Sequence, residues 1–241
     1  MRILVLTDNE FLYEKFKVII ESRKFSMHKF DFAYSYNNIG FCQKYKDDNA
    51  FRCIDVNKES DRIIKTYDLI ISLHCKQIFN SSIIQNRRCI NIHPGYNPFN
   101  RGYYSQVFSI INKKPIGVTI HEMNERIDHG SIILQEKVEI NSWDTSKDIY
   151  SRLLQKELFL IDKYLLDIIE KRYSVTVMGA EGNINYIEDF KALCRLDLDE
   201  KLTMGEAIDR LRALTFEGYK NAYFIDEKGY KICVELKLQK I

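Results

Sequence analysis

The sequence predicts an α/β protein: a doubly wound, mostly parallel sheet followed by a small α+β appendage. Short β-branched apolar runs alternate with helical patterns from residue 3 onward, as strands joined by helical crossovers do. Past residue 172 the texture changes to a capped helix and two strand-like runs joined by a turn. With 45% hydrophobic residues in 241, the chain can bury one large core and a small second one. We therefore expect a catalytic domain over 1–172 and a small subdomain over 173–241.

The elements follow in order. Residues 3–6 form a first strand, and Asp8 or Asn9 caps a helix whose Leu12, Phe16, Ile19 and Ile20 recur on one face. Runs at 53–56, 68–73 and 89–92 give further strands, with 60–65 and 79–85 as helical or irregular crossovers. Residues 104–111 read as a short helix, and 116–121 and 132–140 as two strands. Asp144 or Thr145 opens a long helix in which Ile149, Leu153, Leu158, Ile161, Leu165 and Ile168 keep helical spacing almost to Arg172. In the appendage, Thr203 and Glu206 make a capping box for a helix through Leu214, and 226–229 joins strands at 221–225 and 230–238.

Composition excludes several functions. Thirty-six Lys plus Arg against thirty-four Asp plus Glu leave a net charge of +2, which does not make a general nucleic-acid surface. The first apolar run is too short for a signal peptide or a membrane span, so a cytoplasmic protein with no membrane contact is expected. Six cysteines without a CxxC pair indicate neither zinc nor a disulfide framework; reduced, mostly buried thiols are expected, and no metal.

Ten Gly and three Pro are few for this length, yet all three prolines and four of the glycines fall between 94 and 130. Asn91 and His93 end a buried strand there, at the edge where an open α/β sheet receives its ligand. Pro94 and Pro98 stiffen the following loop, while Gly95 and Gly102 permit unusual backbone angles. Asp128, before His129 and Gly130, can reach back to an imidazole, directly or through water. Taken singly, a strand-end His is an ordinary hydrogen-bonding residue and an Asp near a Gly ordinary turn chemistry.

Together, Asn91, His93, Pro94 and Gly102, then residues 117–121 (GVTIH), Asp128, Gly130 and Gln135, resemble in order and spacing the formyltransferases that use a formyltetrahydrofolate donor. The likeness is strong over about 65–160 and only a matter of pattern over the first sixty residues. It implies Asn91, His93 and Asp128 as the catalytic trio, with the base and oxyanion roles undivided among them. It also implies 10-formyltetrahydrofolate as cosubstrate, held by His74, Cys75, Lys76, Gln77, Ile78, Ile127 and Asp128. His121 and His129 are then structural supports.

Departures from better-known members narrow the acceptor. Residues 6–11 lack the Gly-rich phosphate loop of the glycinamide ribonucleotide enzymes. Residues 173–241 carry no positive excess for tRNA, and the first strand starts too early for a deformylase's extra module. What remains resembles the sugar-nucleotide N-formyltransferases, particularly those acting on dTDP-4-amino-4,6-dideoxyglucose for surface polysaccharide. A 3-amino sugar nucleotide, GDP-perosamine, or a non-catalytic folate or nucleotide-sugar binder are the alternatives. By the same resemblance Asn9, Lys76, Gly95, Tyr96, Asn97, Arg101 and Tyr104 contact a dTDP-sugar: Lys76 meets a phosphate, Arg101 grips the diphosphate and Tyr104 packs on sugar or base. A homodimer through the appendage is expected, since its short hairpin is marginal alone.

Overall fold

The first strand shows why the chain starts as a parallel sheet. In β1, Arg2–Thr7, the residues from Ile3 to Thr7 are fully buried, so both faces of the strand are covered. Each large aliphatic side chain buried there contributes about 2 kcal/mol. Asn9 accepts a hydrogen bond from Leu12 N through its side-chain oxygen and so starts α1, Glu10–Ile20. β2, Lys29–Ser35, and α2, Ile39–Lys44, come next, then β3, Phe51–Ile54, and α3, Ser60–Thr66. β4, Leu69–Leu73, is buried throughout, and α4, Ser81–Asn86, leads to β5, Arg88–His93. A two-residue β6, Arg101–Gly102, and α5, Ser105–Asn112, precede β7, Ile116–Glu122, and β8, Ile132–Val138. The long α6 is Ser146–Ile169, opened by Thr145 and Asp148, whose backbone amides and side chains bond reciprocally.

The computed structural model describes residues 1–241. Seven strands form one sheet in the order β3-β2-β1-β4-β5-β7-β8. The first five pair in parallel and β7 runs antiparallel to β5. The sequence of strands reverses between β1 and β4, the switch point where doubly wound sheets open a ligand crevice. On one face Leu4, Leu6, Ala33, Ile54, Ile63, Ile70, Phe79 and Ile83 pack together. Elsewhere aromatic rings interlock, with Tyr13 stacked on Phe51 at 3.9 Å and edge-on to Phe32 at 5.2 Å.

Two compact units emerge. One comprises Met1–His93, Thr119–Gln135 and Glu157–Gly179; the other comprises Pro94–Val118, Glu136–Lys156 and Ala180–Ile241. In the second unit β9, Ile184–Asn185, pairs in parallel with β6. α7, Ile187–Cys194, follows; α8, Met204–Leu214, carries the expected box between Thr203 and Glu206 and packs on α5. An antiparallel hairpin, β10 (Tyr223–Ile225) and β11 (Lys231–Cys233), ends the unit.

Several expectations are corrected. The strand at 53–56 lies two residues earlier, set by Phe32 pairing with Phe51. The last strand stops at Cys233 instead of 238, because β11 is an exposed edge with only β10 beside it. The cysteines are all free, but only Cys89 is buried; Cys53 and Cys233 are exposed because both sit on strands at a sheet edge. β2, α2 and α7 had no counterpart in the sequence reading. For α7 the reason is its cap: Tyr186 occupies the position normally held by Ser, Thr or Asp, and Asp189 accepts from the Tyr186 amide at 2.7 Å.

Candidate active site

Alternation along two paired strands assembles the chemistry in the first unit. Asn91 and His93 are two apart on β5 and share a face, while Ile90 and Ile92 go to the other. Antiparallel pairing sets His121 opposite Asn91 and Thr119 opposite His93, on that same face. The Asn91 amide nitrogen donates to Asp128 Oδ1 at 2.8 Å, and His93 Nδ1 lies 3.6 Å from Asp128 Oδ2. The three expected catalytic residues are thus together, with the carboxylate between amide and imidazole. Their surroundings are largely dry: the side chains of His93 and Asp128 are 6% and 11% exposed.

His121 completes the cluster. Its Nδ1 lies 2.9 Å from the Glu122 carbonyl, which can only accept, so Nδ1 carries the hydrogen. Its Nε2 faces the Asn91 amide nitrogen at 3.4 Å and Asp128 Oδ1 at 3.7 Å. Asp128 has φ 47°, a left-handed turn that Asp tolerates better than most residues. Gly130 fixes the return of this loop, because a Cβ there would fall on the Glu122 carbonyl and 3.1 Å from His121 Nδ1. Gly130→Ala is expected to cost about 2 kcal/mol through this overlap, read as a lower urea midpoint. An unchanged midpoint would mean that the loop yields without cost. Gln135 Nε2 donates to Thr119 Oγ1 at 2.9 Å, tying β8 to the strand that carries His121.

At the switch point Asp8, expected only as an alternative cap to Asn9, instead acts as a hub. Its Oδ1 accepts from Ser35 N at 3.0 Å and Asn38 Nδ2 at 2.9 Å; its Oδ2 accepts from Lys76 N at 2.7 Å and from Ser35 Oγ. One carboxylate thereby joins the carboxyl ends of β1, β2 and β4. A negative charge there suits the absence of a phosphate cradle after β1. In the segment after β4, His74 takes φ 58° and its Nε2 lies 3.0 Å from both carboxylate oxygens of Glu157. Gln77 accepts from Val56 N at 2.8 Å and donates to Ile54 O at 3.1 Å. Desolvation of the half-buried Cys75 thiol pushes it up to about 12, so it is an inert thiol at neutral pH. Lys76 and Ile78 stay exposed, Ile78 at 65%, and Ile127 precedes Asp128. Asn9 serves as the cap described above.

The second unit holds most of the expected sugar-nucleotide residues. The Asn97-Pro98 bond is cis, and Asn97 is buried. Arg101 is buried rather than a solvated loop cation: its amide donates to Asn183 O at 3.0 Å and its Nη2 lies 3.5 Å from Glu181. Glu181 therefore belongs with Arg101, a partner eighty residues away that spacing does not reveal. Tyr104, in a left-handed conformation at φ 55°, stacks on Phe190 with centroids 3.9 Å apart and planes at 17°. Lys137 sits over the Tyr96 ring at 5.3 Å, and Gly95 precedes it in the loop.

A carboxylate, an amide and an imidazole held dry at a strand end suit a reaction in which a proton leaves one heteroatom while negative charge builds on a carbonyl oxygen. No group of three or more His, Cys, Asp or Glu is placed to hold a metal ion, and no helix is long and apolar enough to cross a membrane.

The chain is similar to several known proteins. A family model described as Formyl transferase matches residues 50–164, and one described as N-formyltransferase dimerization C-terminal domain matches 189–240. A dTDP-4-amino-4,6-dideoxyglucose formyltransferase of Mycobacterium tuberculosis is 45% identical over 188 residues, 78% of this chain and 80% of the relative. A 4-N formyltransferase structure from Francisella tularensis superposes with a TM-score of 0.94 at 46% identity, covering 100% of this chain and 98% of that one. A sugar N-formyltransferase from Shewanella sp FDAARGOS_354 gives 0.95 at 42% identity, with 100% and 99% covered.

Proposed function

The chain belongs to the sugar N-formyltransferases, and from that membership we propose that it transfers the formyl group of 10-formyltetrahydrofolate to the 4-amino group of dTDP-4-amino-4,6-dideoxyglucose. The observation that carries the reading is Asp128 set 2.8 Å from Asn91 and 3.6 Å from His93 on one sheet face. The acceptor follows the mycobacterial and Francisella relatives, whose names specify a 4-amino sugar and a 4-N transfer.

The chain's own residues divide the work as follows. Asp128 engages His93 through Nδ1, so Nε2 is the ring atom that meets the reacting groups. The neutral amine of the sugar attacks the formyl carbon and the bond from that carbon to N10 of the folate breaks. The amine loses one proton and N10 gains one, leaving a formamido sugar and tetrahydrofolate. The Asn91 amide and, in its protonated form, His93 through Nε2–H stabilise the charge that builds on the formyl oxygen, each donor worth about 3 kcal/mol of barrier. In its neutral form His93 instead takes the amine's proton on Nε2. Asn91 already gives one hydrogen to Asp128; its 3.4 Å contact with His121 is the longer one and is the hydrogen that turns to substrate.

The residues present suit the folate. Exposed Ile78 offers an apolar edge, Lys76 a cation for the glutamate tail, and the turns at His74 and Asp128 present backbone groups to a pterin. In the second unit, Asn97, Arg101 and Tyr104, with Gly95 and Tyr96, are the proposed contacts of the dTDP-sugar. Residues 1–172 make up the catalytic domain and 173–241 a dimerising subdomain. Support for a homodimer comes from the match to a dimerization domain and from Ile225, Tyr230 and Ile232, left 42%, 64% and 39% exposed on the hairpin. We place the enzyme in the cytoplasm, in surface polysaccharide synthesis.

The test is turnover with formyl donor and a panel of dTDP-4-amino-4,6-dideoxyglucose, a dTDP-3-amino sugar and GDP-perosamine, read as added formyl mass. We expect kcat/KM for the first to exceed the others at least tenfold. A preference for either competitor would reassign the acceptor, and no product from any, despite folate binding, would leave a binder. Light scattering showing a monomer would remove the dimer.

A further inference from the structure

The first unit contains a charge that this mechanism does not use. Glu157 is fully buried in α6, on the same helix as buried Leu160, Ile161 and Leu165. Burial pushes its carboxyl above the usual range, with His74 opposing the shift. An aliphatic residue would fill such a position without the desolvation penalty. What the carboxylate does instead is hold one ring: both oxygens lie 3.0 Å from His74 Nε2.

His74 follows the last residue of β4 and opens the segment 74–78. It adopts φ 58°, a region that residues other than Gly, Asn and Asp rarely enter. The next residues are tied down from the sheet, Lys76 by its amide to Asp8 and Gln77 by two bonds to the backbone of 54–56. His74 is tied from the helix side through its side chain. The segment is therefore clamped on both flanks.

We propose that Glu157 is a positioning residue for the formyl donor: by gripping His74 it fixes the left-handed turn that aims the 74–78 backbone at the folate. This rests on the reading that 74–78 contacts the donor. The consequence is selective. Loosening the turn weakens donor binding and leaves the acceptor, whose proposed contacts lie mostly on other segments, almost untouched.

The experiment compares the full-length wild type with Glu157→Leu and Glu157→Gln. Its readouts are the Kd for 5-formyltetrahydrofolate by calorimetry, KM for donor and acceptor separately, and thermal melting. For Glu157→Leu we expect donor Kd and KM to rise at least tenfold with acceptor KM within twofold. Glu157→Gln, whose side-chain oxygen can still accept from Nε2–H, should stay within threefold of wild type. In a His74→Gly background, where the ring is gone, Glu157→Leu should add less than twofold, as expected for a residue that acts through its neighbour. Donor Kd within twofold of wild type in Glu157→Leu, equal rises in both KM values, or a full effect persisting without His74 would each overturn the proposal. Should Glu157→Leu not fold, His74→Leu carries the same test, because it removes the ring that Glu157 holds; a donor Kd within twofold of wild type would again overturn it. A wild type that binds no folate would refute the donor reading and this inference with it, whereas folate binding unchanged in the variants refutes the positioning alone.

Discussion

His93→Ala is expected to lower kcat about 10³-fold, by the loss of an oxyanion donor and proton-transfer group together, while the protein still folds and binds donor. The His93 ring is buried and faces Asp128 through Nδ1 at 3.6 Å, so its removal takes away the one imidazole that is both oriented by the carboxylate and placed at the end of β5. Asp128 keeps its 2.8 Å bond from Asn91, so the loop retains an anchor and the fold survives. Rates of formamido-sugar formation by mass spectrometry, beside the melting temperature, decide the matter. Turnover within tenfold of wild type would take His93 out of the mechanism.

Asp8→Ala is expected to cost about 3 kcal/mol of stability, equivalent to roughly 6–12 °C in melting temperature for a chain of this size. The carboxylate accepts from two backbone amides, one side-chain amide and one hydroxyl, at the ends of three strands. Truncation leaves those donors to find water in a partly buried site, and the amide of Lys76 loses its anchor within the proposed donor segment. Asp8→Asn should fall between, since an amide keeps one accepting oxygen where the carboxylate has two. A melting temperature of Asp8→Ala within 2 °C of wild type would show that the strand ends are held by other means.

Much of the site was legible because strand periodicity makes it so. Asn91 and His93, two apart at the end of an apolar run, had to share a face at the sheet's carboxyl edge. Thr203 and Glu206 formed the box that their spacing announces. What stayed hidden depends on distance along the chain. Arg101 with Glu181, Asp8 with Ser35 and Lys76, and His74 with Glu157 are separated by 80, 27, 68 and 83 residues, and none has a local signature. β2 was hidden for another reason. Its Phe30, Phe32 and Tyr34 do alternate, but Ala33 and Ser35 are buried along with Phe32 and Tyr34 because both faces are covered there, which blurs the period-two signal.

By itself the sequence determined the α/β class and, through its resemblance to the formyltransferases, the family and the proposed catalytic trio, because short-range periodicity, turn chemistry and motif spacing are properties of neighbouring residues. Only the tertiary structure decided how Asp128 is shared between Asn91 and His93, that His121 presents its Nε2 to the same amide, and that Arg101 is buried rather than solvated. Those outcomes depend on strand register and on which loops return to the same strand ends. These are fixed by packing across the whole sheet, where a shift of one residue would turn every one of these side chains to the opposite face.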